Sequence, residues 1–123
     1  MSLRSIDHVS FAVRDLQRSL HFYCEVLGLE QTARPDLGFP GAWLKVGDGQ
    51  VHLIEVPADF DAGTAPPQLN PLASHAAFAI DDHAAMLATL QRNGIEVLDF
   101  ETSGQMWAKD PDGHIIELIS ARR

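Results

Sequence analysis

Four side chains in this 123-residue sequence are of the types that together hold a divalent metal: His8, His52, His75 and Glu117. Imidazole nitrogens and a carboxylate suit Zn, Ni, Fe, Co or Mn, and on an octahedral ion such a set leaves room for a bidentate substrate or for water. Glu117 carries the clearest signal. In the run His-Ile-Ile-Glu-Leu-Ile-Ser at 114–120, strand alternation places it on one face with Ile115 and Ile119, while Ile116 and Leu118 take the other. A charge set among isoleucines needs a partner or a metal, since burying it alone costs several kcal/mol or forces protonation.

The elements that must position these groups come as an internal repeat. DHVSFAVRDLQRSL at 7–20 matches SHAAFAIDDHAAML at 74–87, aligning His8 with His75, Phe11 with Phe78, Val13 with Ile80 and Asp15 with Asp82. Further on, VHLI at 51–54 aligns with IELI at 116–119 and sets His52 against Glu117. The first copy reads as a strand over 6–13 and a helix capped by Asp15, with Leu16, Leu20, Tyr23 and Leu27 as its inner stripe and Gly28 as its end. Short strands follow at 30–34, 41–46 and 50–56, with Gly47-Asp48-Gly49 in a tight turn. The second copy repeats the order: a strand near 75–80, a helix from Asp82 to Gly94 with Leu87 and Leu90 inside, then strands at 95–100, 104–109 and 114–120, with Asp110-Pro-Asp-Gly113 as the last turn.

The expected architecture is therefore α+β: tandem βαβββ modules forming a curved mixed sheet around a cleft, with helices on the outer face. One domain over 1–123 is expected, with module one at about 5–57, a proline-rich linker at 58–72 and module two at about 73–121. Two like modules related by a pseudo-twofold axis would turn equivalent positions toward each other. If Val9, Phe11 and Val13 face the first helix, His8 faces the cleft, as does His75 by the same parity. His21, His83 and His114 are expected to be solvent-facing or locally bonded, and Cys24 to be a small buried hydrophobe.

Composition narrows the partners. A formal charge of −8 opposes phosphate backbones and anionic lipid, so neither nucleic acid nor a membrane is expected as a partner. No run approaches the length of an apolar span, and the opening MSLRSIDHVSF lacks the apolar stretch of a signal peptide. With one cysteine, an internal disulfide is excluded, and the expectation is a soluble protein of a reducing, cytoplasmic compartment. Trp43, Trp107 and Phe39, with Phe60 nearby, are candidates for an apolar substrate wall, and Arg34 and Gln105 for orienting groups.

The paired βαβββ units, the opening DHVSFAVRDLQRSLHFYCEVLGLE and the closing AKDPDGHIIELI resemble the vicinal oxygen chelate superfamily of glyoxalase I, extradiol dioxygenases, fosfomycin-modifying enzymes and bleomycin-binding proteins, over roughly residues 5–121. The resemblance implies a divalent metal and commonly a homodimer whose site may draw on both subunits, with His8, His75 and Glu117 at the recurrent ligand positions and His52 at the variable fourth. It implies lyase or isomerase chemistry on a small vicinal-oxygen or hydroxycarbonyl compound, with His52 or Glu117 moving the proton. The chain departs from glutathione-specific glyoxalases in having His52 where they usually carry a glutamate. Lys45 and Lys109 are the only lysines, so a strongly anionic substrate is not expected. The alternatives are ring cleavage by Fe(II) held in a two-His, one-carboxylate set, and non-catalytic sequestration of a small molecule.

Overall fold

A computed structural model describes residues 1–120 and divides the chain between Gly63 and Thr64 into two compact units. The expected end of module two at residue 121 lies outside the described residues. The division falls within the expected linker, so residues 58–63 go with the first unit and the rest with the second.

In the first unit, β1 (His8–Val13) leads into α1 (Leu16–Leu20), which continues as a π-helical turn over His21–Val26, and then into β2 (Glu30–Thr32), β3 (Gly41–Val46) and β4 (Gly49–Glu55). The sheet order is β1-β4-β3-β2, with β1 parallel to β4 and the other pairs antiparallel. Parallel neighbours cannot be joined by a hairpin, so the chain between β1 and β4 must cross over, and the helix does part of this. The Asp15 carboxylate accepts from the Arg18 amide at 3.2 Å, as an N-cap should. The β3–β4 hairpin closes through Gly47 and Asp48, with Gly47 at φ 55 and Asp48 not at positive φ, the conformation of a two-residue turn led by glycine.

The helix differs from the expected continuous α-helix. Leu27 donates its amide to Phe22 and Leu29 to Tyr23, bonds longer than the α-helical step. The buried face runs through Ser19, Phe22, Tyr23 and Val26, while Leu16, Leu20 and Leu27, expected inside with Tyr23, are half-buried. Tyr23 is fully buried, stacked on Phe11 with ring centroids 5.9 Å apart.

The second unit repeats the plan with β5 (Ala76–Ile80), α2 (His83–Arg92), β6 (Val97–Phe100), β7 (Gln105–Lys109) and β8 (Ile115–Ser120), in the order β5-β8-β7-β6. Asp82 caps α2 by accepting from the Ala85 amide at 3.0 Å, the same device as Asp15. A short 3-10 turn at Glu101–Ser103, not foreseen from sequence, joins β6 to β7 and ends at Gly104 with φ 73.

Strand parity assigns each sheet a core face. In the first unit Val13, Ala42, Leu44, Val51 and Leu53 form that face; in the second Met106, Ala108, Ile116 and Leu118 do, with Leu90 of α2. The opposite face of each sheet carries the candidate residues.

The Asp-Pro-Asp-Gly turn before β8 is held by a buried carboxylate: Asp110 Oδ1 accepts from the amides of Asp112 and His114, both at 2.9 Å. Asp110→Ala leaves those donors without their acceptor and should lower stability to urea by about 1–3 kcal/mol. A change below about 0.5 kcal/mol would show that the turn supports itself without the side chain.

Candidate functional site

Two strand registers carry the candidate ligands. In the first unit His8 lies opposite Gln50 and Ser10 opposite His52. In the second, Ala77 lies opposite Glu117, so His75, two residues earlier and just before β5, comes level with Ile115. His8 with His52 and His75 with Glu117 thus occupy equivalent places in two equivalent sheets. The correspondence holds in the neighbouring strand, where Trp43 faces His52 and Trp107 faces Glu117.

Within the first unit, His8 and His52 stack with ring centroids 3.8 Å apart and planes 15° from parallel. The Trp43 ring stacks on His52 at 4.4 Å. His8 donates Nδ1–H to Asp7 Oδ1 at 2.8 Å, and His52 donates Nε2–H to Gln50 Oε1 at 2.7 Å. A ring that gives its hydrogen away through one nitrogen keeps a lone pair on the other. His8 therefore presents Nε2, and His52 presents Nδ1. The His52 pKa is held below the usual histidine range by burial first, then by the His8 charge beside it, with Asp7 opposing and Arg34 adding to the depression.

Within the second unit, the His75 ring donates Nδ1–H to the Ala73 carbonyl at 2.7 Å and sets Nε2 3.0 Å from Glu117 Oε1. Gln105 Nε2 donates to the other carboxylate oxygen at 3.1 Å. Glu117 is buried, 7% exposed. With the hydrogen committed to Ala73, a neutral His75 would turn a lone pair toward an anionic oxygen. That contact is favourable when a proton lies between them, or when both atoms turn toward one cation as adjacent ligands. The arrangement fits a metal: an imidazole oriented by a backbone carbonyl and a carboxylate held by an amide are the supports that metal ligands receive.

Among the described residues the candidate ligands form two pairs, one in each unit, and no group of three or more His, Cys, Asp or Glu side chains assembles into a metal site. Trp43 is half-buried and lies on the His52 face, whereas Trp107 is 5% exposed with its buried Nε1–H unpartnered. Phe39 and Phe60 are exposed. The loop before Phe60 is fastened by Arg14, which donates to the carbonyls of Pro57 and Phe60 at 2.6 and 2.7 Å. Arg34 donates to the Phe39 carbonyl at 3.0 Å.

The remaining candidates fall as expected in part. His83 is locally bonded, its Nε2 2.7 Å from Asp99 Oδ1, and His21 is exposed. His114 is half-buried, its amide tied to Asp110. Cys24 is half-buried, not fully buried, and burial followed by the nearby Glu25 charge pushes its thiol pKa up, away from a reactive thiolate. Asp7, Gln50 and the Ala73 carbonyl, which fix the three ring orientations, were not singled out in the sequence. Gln50 was within reach of parity reasoning, standing two residues from His52 on the same strand face; a backbone carbonyl leaves no such trace.

The chain belongs to the Glyoxalase/Bleomycin resistance protein/Dioxygenase superfamily, whose model matches residues 5–118. It is 32% identical over 129 residues to Glyoxylase I 4 of Arabidopsis thaliana, with 98% of this chain and 72% of that protein covered. It is 34% identical over 120 residues to Glutathione transferase FosA of Serratia marcescens, covering 94% and 80%. Among solved structures, a glyoxalase family protein from Bacillus anthracis matches with a TM-score of 0.80 and 26% identity over 99% of this chain and 98% of that one.

The stacked histidines give a signed test. In protein freed of metal, the NMR titration of His52 should fall below the ordinary histidine range. His8→Ala should move its midpoint up, and Asp7→Asn should move it down. Because the folded ring binds its proton less tightly than an unfolded one, its contribution to stability is present above the ordinary histidine pKa and is lost as pH falls through the folded value. A midpoint indifferent to both substitutions would mean that the charges near the ring do not act on it.

Proposed function

We propose that this protein is a divalent-metal enzyme of the glyoxalase type, in which His8 and His52 from one unit and His75 and Glu117 from the other supply the ligands to one ion. The observation that supports this best is the matched register: two equivalent sheets carry a ligand-type pair at the same two positions, and each pair is oriented by its own hydrogen bonds. Membership of a family with a glyoxylase and a glutathione transferase among its relatives agrees with it. The reading includes a homodimer in the cytoplasm, with each ion served by the two units of one chain or by units of two chains.

When bound, the ion supplies positive charge that stabilises negative charge developing on two vicinal oxygens of a small hydroxycarbonyl substrate. The chain's own groups do the rest. His52 keeps Nε2–H on Gln50 and offers Nδ1 to receive a proton, which makes it the first candidate for the base if it is not a ligand. Glu117 takes that role if it leaves the metal, with Gln105 holding one of its oxygens in place. Trp43, half-buried beside His52, gives the substrate a planar apolar neighbour, while Trp107, buried beside Glu117, backs that carboxylate. Proton transfer is favoured over ring cleavage because the single tyrosine, Tyr23, is fully buried in the core and cannot serve as an acid beside an aromatic substrate.

Metal analysis of untagged protein tests the reading directly. The wild type should hold metal in stoichiometric amount; Glu117→Ala and His75→Ala should abolish it, and His52→Ala should retain part of it while changing the rate of the metal-loaded enzyme. Unchanged metal content in Glu117→Ala would defeat the proposal. Gln105→Ala, which removes only the support of the carboxylate, should weaken metal affinity by about 10–100-fold without abolishing it.

A further inference from the structure

We propose that Arg34 is a carboxylate-binding subsite beside His52, so that the substrate is a small oxygenated compound bearing one carboxylate. The inference rests on the proposed function, in that it takes this sheet face to be where substrate binds. Gly41 lies on β3 two residues before Trp43, and therefore on the face that Trp43 shares with His52. A Cβ at Gly41 would meet the Leu53 carbonyl oxygen at 2.5 Å and Arg34 Nη2 and Cζ at 3.0 and 3.1 Å. The missing side chain is what lets a guanidinium occupy that position on the sheet. In the second unit the equivalent place, opposite Ile119 as Gly41 is opposite Ile54, belongs to Gln105, whose amide holds Glu117. The first unit thus replaces a ligand-supporting amide with a fixed cation.

The cation is anchored without being neutralised. Its Cζ lies 5.0 Å from the centroid of the Phe39 ring, and Nη2 donates to the Phe39 carbonyl. A guanidinium has five N–H donors, and among the described residues this carbonyl is the one acceptor that Arg34 meets. In a chain with 17 acidic and nine basic residues, Arg34 is half-buried and, among the described residues, forms no ion pair, so its remaining donors are able to receive an anion. Its planar fork matches a carboxylate through two parallel hydrogen bonds. Lys45, on the same strand face, stands opposite Glu30 of β2 and has a compensating charge nearby. One uncompensated cation suits one negative charge, which agrees with the expectation that a strongly anionic substrate is disfavoured.

The probe is benzoate against its neutral isostere benzamide, titrated to about 50 mM so that millimolar Kd values register. The full chain is used both as purified and after EDTA, with the Arg34 Nε–H resonance and Trp43 fluorescence followed. Benzoate should bind at least about tenfold more tightly than benzamide in both preparations and shift the Arg34 resonance. Arg34→Gln, which keeps a donor to Phe39, should erase the preference, and Arg34→Lys should keep part of it. Equal binding of the two probes, no binding of either, or a preference that survives Arg34→Gln would overturn the subsite. A preference that survives Arg34→Gln but vanishes with EDTA would place the carboxylate on the metal, overturning the subsite while supporting the metal reading. Stoichiometric metal in both Arg34 variants separates the two proposals further.

Discussion

A carboxylate withdrawn from water demands positive charge or hydrogen on both oxygens, and Glu117 shows how much of a fold that demand organises. One oxygen faces His75 Nε2 and the other takes the Gln105 amide. Because the ring's other nitrogen gives its hydrogen to Ala73, the first contact is favourable only with a proton between the two atoms or a cation that both of them face. The ring's two contacts fix the residues leading into β5 relative to β8, and Gln105 fixes β7. Three segments are thereby tied to one side chain.

Duplication supplied the frame, and divergence gave the two halves different chemistry. Asp15 and Asp82 cap their helices in the same way, and β1 with β4 repeats β5 with β8. At the equivalent places on the opposite face the occupants differ: His52 for Glu117 and Gly41 for Gln105. The second unit consequently presents a carboxylate held by an amide and faced by an imidazole. The first is a pair of stacked imidazoles beside a guanidinium, where burial first and then the neighbouring positive charges lower the His52 pKa.

Most of this frame was legible in the sequence because it depends on local rules. The alternation of HVSFAV and IIELIS marks which residues share a face, aspartate caps and glycines mark where helices start and stop, and the repeat converts one reading into two. The alignment of His52 with Glu117, made across loops of unequal length, is the same as the strand register. Local rules missed the π-helical turn over His21–Val26 and put Leu16, Leu20 and Leu27 on the buried stripe, where Ser19, Phe22 and Val26 take the buried places beside Tyr23.

The sequence by itself determined the element order, the duplicated plan and which polar side chains share the sheet face opposite the core, since each follows from neighbours along the chain or from a repeated pattern. Only the tertiary structure decided which nitrogen each histidine turns outward, that Gln105 serves Glu117, and that Arg34 fills the space left by Gly41. Those choices depend on atoms brought together from distant strands or from backbone carbonyls, and the position of a carbonyl is a property of the folded chain, independent of residue type.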